Sequence, residues 1–205
     1  MPSHTSRPKV ATSPTQRRGQ QRVALILDTA ASLFAEKGVE AATMTEIAAR
    51  SNTAIGSLYR FFPAKELLAD ALFARYATTT LEGLDALADT ASELDPLHLA
   101  DALLALTLGQ QTNRDAAVAI AEMRDDGAVL RAEFRKAIRE RLKIVLSAGG
   151  VPPERAENAA PIVLQVLKAL PSLLREGLSE TSARSELGAM IGLYLHAARL
   201  ETSTT

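Results

Sequence analysis

The chain has 205 residues, a formal net charge of −1 at pH 7, 47% hydrophobic residues and no cysteine. That length admits one domain or two, with ample apolar material for a packed core. The missing thiols exclude disulfides, thiolate metal sites and cysteine nucleophiles, and no apolar run reaches the roughly 18 residues of a membrane span. The N-terminus is polar, without the apolar core of a signal peptide. The expectation is a soluble, cytoplasmic protein.

The near-neutral total hides a division. Residues 1–65 hold nine Lys/Arg against four acids, a net of +5, and the remainder holds fourteen against twenty, a net of −6. A basic end on an acidic body suits a phosphate-binding head on a body that does not bind phosphate.

In chain order, residues 1–16, with Pro2, Pro8, Pro14 and many Ser and Thr, read as a disordered basic tail. Arg22 to Lys37 places Val23, Ile26, Leu27, Ala30 and Phe34 on one helical stripe and stops at Gly38. Thr43 and Glu46, three apart, form a capping box that starts a helix at Met44, with Ile47 and Ala48 on its inward face. Asn52 tolerates the left-handed backbone of a sharp turn. Beyond it Ile55, Leu58, Tyr59 and Phe62 recur at three and four residues, which is helical spacing. Two short helices joined this way make a helix-turn-helix, whose second helix lies in the DNA major groove.

Further helices are expected from Pro63 to about Ala88, Pro96 to about Thr112, Asp115 to Arg124, and Asp126 to Ala148 before Gly149-Gly150. Residues 154–178 read as an apolar helix interrupted by Pro161 and Pro171, kinked at the latter, and residues 183–200 as the last. The fold class is all-α, with about nine helices. The domain reading is a tail over 1–16, a helix-turn-helix DNA-binding domain over 17–62, and a helical body over 63–205.

Leu58-Tyr-Arg-Phe-Phe-Pro-Ala-Lys65, closing a motif that begins at Thr43, resembles the DNA-binding domain of the TetR (tetracycline repressor) family over about Arg18 to Leu72. The turn departs from the family's usual Ala-Gly-Val-Ser and reads Ser51-Asn52-Thr53-Ala54, where Asn52 takes the glycine's place and Thr53 is a candidate helix cap and a candidate DNA contact.

For DNA, Ala54 and Ser57 are short residues near the start of the recognition helix, and Gly56 allows close backbone approach. Ile55 stands where the family often has Lys; it either meets a thymine methyl group or packs internally. Thr43 can cap its helix and also offer its hydroxyl to a phosphate. Arg60 is a further candidate, and Arg17 and Arg18 either reach a neighbouring groove or form a solvated tail. The resemblance implies phosphate contacts for Tyr59 and Lys65, the latter also near the start of the next helix. Phe34, Leu58 and Phe62 are expected in the core.

The resemblance also implies a homodimer through the last two helices and a small-molecule cavity in the body. The candidate dimer residues are Val163, Val166, Leu167 and Leu170 on one helix, and Leu187, Met190, Ile191, Tyr194 and Leu195 on the other, two apolar faces whose other reading is ordinary core. Twofold pairing would suit a palindromic operator on double-stranded DNA. Candidate ligand residues are Phe73, Tyr76, Leu103, Thr107, Gln110, Met123, Phe134 and Gln165, a mostly apolar set with a few polar anchors, though taken singly the Met and Phe residues read as core and the Gln residues as surface or helix-end positions.

The functional expectation is a sequence-specific transcriptional regulator, a repressor released by a small apolar ligand. A regulator controlled by a protein partner, or a constitutive one, is the alternative. An all-helical enzyme is the remote one: His4, His98 and His196 form no metal-spaced pair, and neither a phosphate-binding glycine loop nor a nucleophile elbow occurs. Neither cofactor nor metal is expected.

Overall fold

The computed structural model describes residues 17–200, and among them every regular element is helical. In order these are α1 (Arg17–Ala41), α2 (Met44–Arg50), α3 (Ile55–Phe61), α4 (Lys65–Thr90), α5 (Pro96–Gly109), α6 (Gln111–Met123), α7 (Gly127–Ala148), α8 (Pro153–Arg175) and α9 (Glu180–Leu200). A short 3-10 turn, Ala91–Glu93, follows α4. The tail expected over 1–16 lies outside the described residues. No helix among them is long and apolar enough to cross a membrane.

The chain forms two compact units, residues 17–76 with 112–128 and residues 77–111 with 129–200. The compact units therefore divide elsewhere than at the boundary expected after residue 62. The cause is apolar patterning beyond the motif. Leu68, Leu72 and Phe73 of α4 and Ala116, Ile120 and Ala121 of α6 are buried in the first unit, together with Ile26, Phe34, Ile47, Leu58 and Phe62.

Helix ends follow local chemistry. Gly38 takes φ 81, ψ 165 and breaks α1 into its main body and a last short turn, a left-handed position where a side chain would be strained. The Thr43 hydroxyl accepts the Glu46 N–H at 3.2 Å, so the capping box forms as expected. The Asp95 carboxylate accepts the N–H groups of Leu97 and His98, both at 2.9 Å, and Pro96 fills the first position of α5. Pro63 does not open α4, which starts two residues later at Lys65. Pro161 and Pro171 lie inside α8, which continues through both. Each costs one backbone bond, while Val163, Leu167 and Leu170 keep one face of the helix buried.

The second unit centres on α5, which packs against α8 and α9. Its core joins Leu84 and Leu87 of α4, Leu99, Leu103 and Leu104 of α5, Leu142 and Leu146 of α7, and the inward faces of α8 and α9. Small residues set the closeness of α5 and α9. A side chain at Gly192 would place its Cβ 2.5 Å from Leu97 Cδ2 and 3.2 Å from Leu97 Cα.

Candidate nucleic-acid interface

The site lies in the first unit, on α2, the turn after it, and α3. Helix α2 ends with Thr53 N–H donating to the Ala48 carbonyl at 2.9 Å and Asn52 N–H to that of Ala49 at 3.1 Å. Asn52 has φ 47. This six-to-one plus five-to-two pair with a left-handed residue is the Schellman ending, so asparagine does here what the family's glycine does. Helix α3 then begins, with Ser57 and Leu58 N–H groups both donating to the Ala54 carbonyl at 2.8 and 3.0 Å. Ala54 occupies the N-cap position and supplies no side-chain cap. Thr53 is therefore not the cap. It is 6% exposed, and its hydroxyl donates to the Ser51 carbonyl at 3.2 Å, which removes it from the candidate DNA contacts.

What remains outward on α3 is a compact set. Ile55 is 42% and Tyr59 47% exposed; Ala54, Gly56 and Arg60 are also exposed, and Ser57 is half-buried. Leu58 and Phe61 face inward as the opposite stripe, at 0% and 6% exposure. Ile55 thus does not pack internally. The Arg60 guanidinium lies over the Phe61 ring, 5.2 Å from its centroid. Thr43 is exposed, and its oxygen uses a lone pair to accept the Glu46 N–H. The hydroxyl proton therefore stays available to an acceptor such as phosphate.

The charges of this unit are largely committed to holding it together. Arg50 pairs with Glu36 through two bonds of 2.7 and 3.0 Å, and Lys37 pairs with Glu46; both pairs tie α1 to α2. The hydrogen bond from Arg50 holds the Glu36 carboxyl below its ordinary range, and that from Lys37 does the same for Glu46. Arg75 of α4 reaches Asp28 of α1 at 2.8 Å and donates to Asn113 of α6 at 3.2 Å. Lys65 spends its ammonium on the carbonyls of Val39, Glu40 and Ala42, at 2.8, 3.1 and 3.2 Å. An ammonium has three donors, so the phosphate role implied by family resemblance has no proton left to serve it. Arg18, Arg22 and Arg60 are exposed, and none of the three has a carboxylate partner among the described residues. Of these, Arg22 escaped the sequence reading; the signal was there, a basic residue just before the apolar stripe of α1. The side chain of Arg17 lies outside the described residues.

The candidate ligand residues do not fall in one unit. Phe73, Tyr76 and Met123 belong to the first; Leu103, Thr107, Gln110, Phe134 and Gln165 belong to the second. Gln165 points outward, where Lys168 donates to its Oε1 at 3.0 Å, and Leu103 is 1% exposed within the core. The Thr107 hydroxyl donates to the Leu103 carbonyl at 3.0 Å. Met123 is 36% exposed and borders a cleft of about 410 Å³ where Ala69 and Ile120 share the lining with the charged Glu66, Asp70, Arg124, Asp125 and Asp126.

The candidate dimer residues divide as well. Val163, Leu167, Leu170, Leu187, Ile191 and Leu195 are buried in their own unit, at 6% exposure or less. Val166 and Tyr194 are half-buried, and Met190 is 58% exposed. The apolar side chains that α8 and α9 do show to solvent include Ile162 at 49% and Leu193 at 69%.

Two short helices crossed by a Schellman turn, backed by α1 and presenting one outward face, define a helix-turn-helix protein. Residues 26–72, which span the helix-turn-helix and the start of α4, match the model of the bacterial regulatory proteins of the tetR family. The chain is 40% identical over 68 residues to the HTH-type transcriptional repressor KstR2 of Rhodococcus jostii (strain RHA1). That match covers 29% of this chain and 33% of the relative, so the chain aligns with about a third of the length of the curated protein it resembles. The fold resembles a transcriptional regulator of Aquifex aeolicus VF5, with a TM-score of 0.70 and 21% identity over 84% of this chain and 99% of that one. It also resembles a regulator of Saccharomonospora viridis in complex with choline, with a TM-score of 0.65 and 14% identity over 86% and 96%. A third likeness is SmeT in complex with triclosan, with a TM-score of 0.62 and 19% identity over 87% and 91%.

Proposed function

We propose that this protein is a sequence-specific DNA-binding transcriptional regulator of repressor type, acting as a homodimer on a palindromic operator and released by a small apolar molecule. The observation that carries the reading is the outward face of α3. A seven-residue helix buries Leu58 and Phe61 yet leaves Ile55, Gly56, Tyr59 and Arg60 to solvent, with Ala54 exposed at its N-cap, as a helix entering the major groove must. Arg18 and Arg22 of α1 and Thr43 supply phosphate partners around it.

Dimerisation is supported by the solvent-facing apolar side chains of α8 and α9. Ile162 and Val166 follow one another at one turn on α8, and Met190, Leu193 and Ala197 do so on α9. Such a face is unusual on a monomer, and pairing would set two recognition helices about 34–36 Å apart, one turn of DNA, or a multiple of it. The complexes of SmeT with triclosan and of the Saccharomonospora viridis regulator with choline support a small-molecule effector. Such an effector works only by binding the DNA-incompetent state more tightly.

Selection from a random duplex library, followed by gel-shift titration, tests the core of the reading. The expected result is one inverted-repeat sequence bound about 10³-fold or more tightly than scrambled DNA at physiological salt. Equal affinity for both duplexes would overturn it. A thermal-shift screen of apolar compounds then tests release; regulators controlled by a partner, or constitutive ones, give no compound that frees the operator.

A further inference from the structure

We infer that Ile55 reads the C5 methyl group of thymine, so that the operator half-site is recognised in part by an apolar contact that no hydrogen-bonding side chain of α3 replaces. The inference rests on the DNA-binding reading above and goes beyond it by naming the base chemistry.

Ile55 is the aliphatic side chain of α3 that the fold leaves outside, with the exposed ring of Tyr59 four residues on. It is 42% exposed in a helix whose other large apolar residues, Leu58 and Phe61, are buried. The positions directly flanking it add no group that hydrogen-bonds to bases, and the hydroxyl-bearing side chains of α3 begin at Ser57. Ala54 before it ends in a methyl group, Gly56 after it has no side chain, and Thr53 has turned its hydroxyl to the Ser51 carbonyl. Arg60, which has the right chemistry for guanine, lies over the Phe61 ring. A Cβ built at Gly56 would meet nothing within 4 Å, so the missing side chain serves no internal packing and leaves room for the double helix beside Ile55.

In the major groove each base pair shows donors and acceptors, and thymine alone adds a methyl group. Isoleucine placed against any other edge would strip water from polar atoms and return no hydrogen bond, which is costly. Against thymine it buries methyl on methyl. A β-branched side chain in a helix also has one strongly preferred χ1 rotamer, so little freedom is lost when it docks.

The test uses the full-length protein and the duplex it selects from a random library, resynthesised with deoxyuridine replacing thymine at one symmetric pair of positions at a time. The two bases differ only by the methyl group. At one such pair the wild type should lose about 4-fold per half-site, the value of one buried carbon, and near 15-fold for two. The Ile55→Ala variant should bind the thymine and deoxyuridine duplexes alike while keeping the thermal stability of the wild type, since Ile55 is exposed. If no thymine position is sensitive in the wild type, or if Ile55→Ala retains the same penalty, the assignment is wrong although the protein still binds a preferred sequence. A protein that selects no sequence at all fails at the DNA-binding reading itself, and the inference falls with it.

Discussion

The ammonium of Lys65, at the first residue of α4, lies 2.8 Å from the carbonyl oxygen of Val39, just past the break in α1 at Gly38. With Glu40 and Ala42 adding further acceptors, one side chain satisfies three carbonyls that no helical ladder reaches, and it holds α4 against the segment leading into α2. Charge-assisted bonds of this kind contribute more than neutral ones. Lys65→Met is expected to lower the stability of the first unit by about 2 kcal/mol and to weaken DNA binding to a similar degree on all sequences. The slope of log K against log salt should stay unchanged. A phosphate contact would instead reduce that slope by about 0.9, and a gel-shift titration at several salt concentrations distinguishes the two.

Gly56→Ala separates folding from recognition. The space around Gly56 is open, and alanine is favoured over glycine inside a helix by about 0.5–1 kcal/mol. Thermal unfolding should therefore occur at the same or a higher temperature. Operator binding should nonetheless weaken, by about 10-fold if the backbone at Gly56 comes within contact of DNA, the equivalent of about 1.4 kcal/mol. Undiminished binding would remove Gly56 from the interface.

The exposure pattern of α8 and α9 predicts different consequences for neighbouring leucines. Leu193 is 69% exposed and Leu195 is 0% exposed. Leu193→Glu should leave helicity and the unfolding transition of the monomer nearly intact and convert a dimer to a monomer in sedimentation. Leu195→Glu should instead unfold the second unit, because a buried unpaired carboxylate is costly. A dimer that survives both Leu193→Glu and Ile162→Glu would place the interface elsewhere.

Acid should loosen the joint between α1 and α2. The carboxyls of Glu36 and Glu46 are held below their ordinary value of 4.5, chiefly by hydrogen bonds from Arg50 and Lys37. A lowered folded-state value means stability that is fully present above pH 4.5 and lost as pH falls through the depressed values. Both pairs are solvent-exposed, so the effect is small. The Glu36→Gln, Glu46→Gln double variant should show a flatter fall of melting temperature below pH 4.5 than the wild type, and identical curves would mean that the two pairs contribute nothing.

Much of the recognition unit was legible because its determinants are close in sequence. Thr43 meets the N–H of Glu46 three residues away, Asn52 takes the left-handed conformation its turn demands, and Gly38 ends the body of α1. Periodicity also placed Ile47, Leu58 and Phe62 inside. It misjudged Thr53 because a residue with capping chemistry, one position from the helix, looks like a cap, whereas the Schellman turn uses its backbone and buries its side chain. It left Ile55 open, since an apolar residue at the start of a short helix satisfies either environment until neighbouring helices fill the inner side.

By itself the amino-acid order determined what short-range forces determine: which segments are helical, where most of them stop, that two short ones form a helix-turn-helix, and that a basic end precedes an acidic body. Tertiary structure decided which side of each helix is used. Lys65 turns to carbonyls some 25 residues before it rather than to solvent, and α9 buries Leu195 while showing Leu193. The reason is that α8 and α9 carry apolar residues around much of their circumference, so spacing alone names no inward face. Only the packing of α5, with Leu97 seated against Gly192, selects one side for the core and leaves the other to solvent.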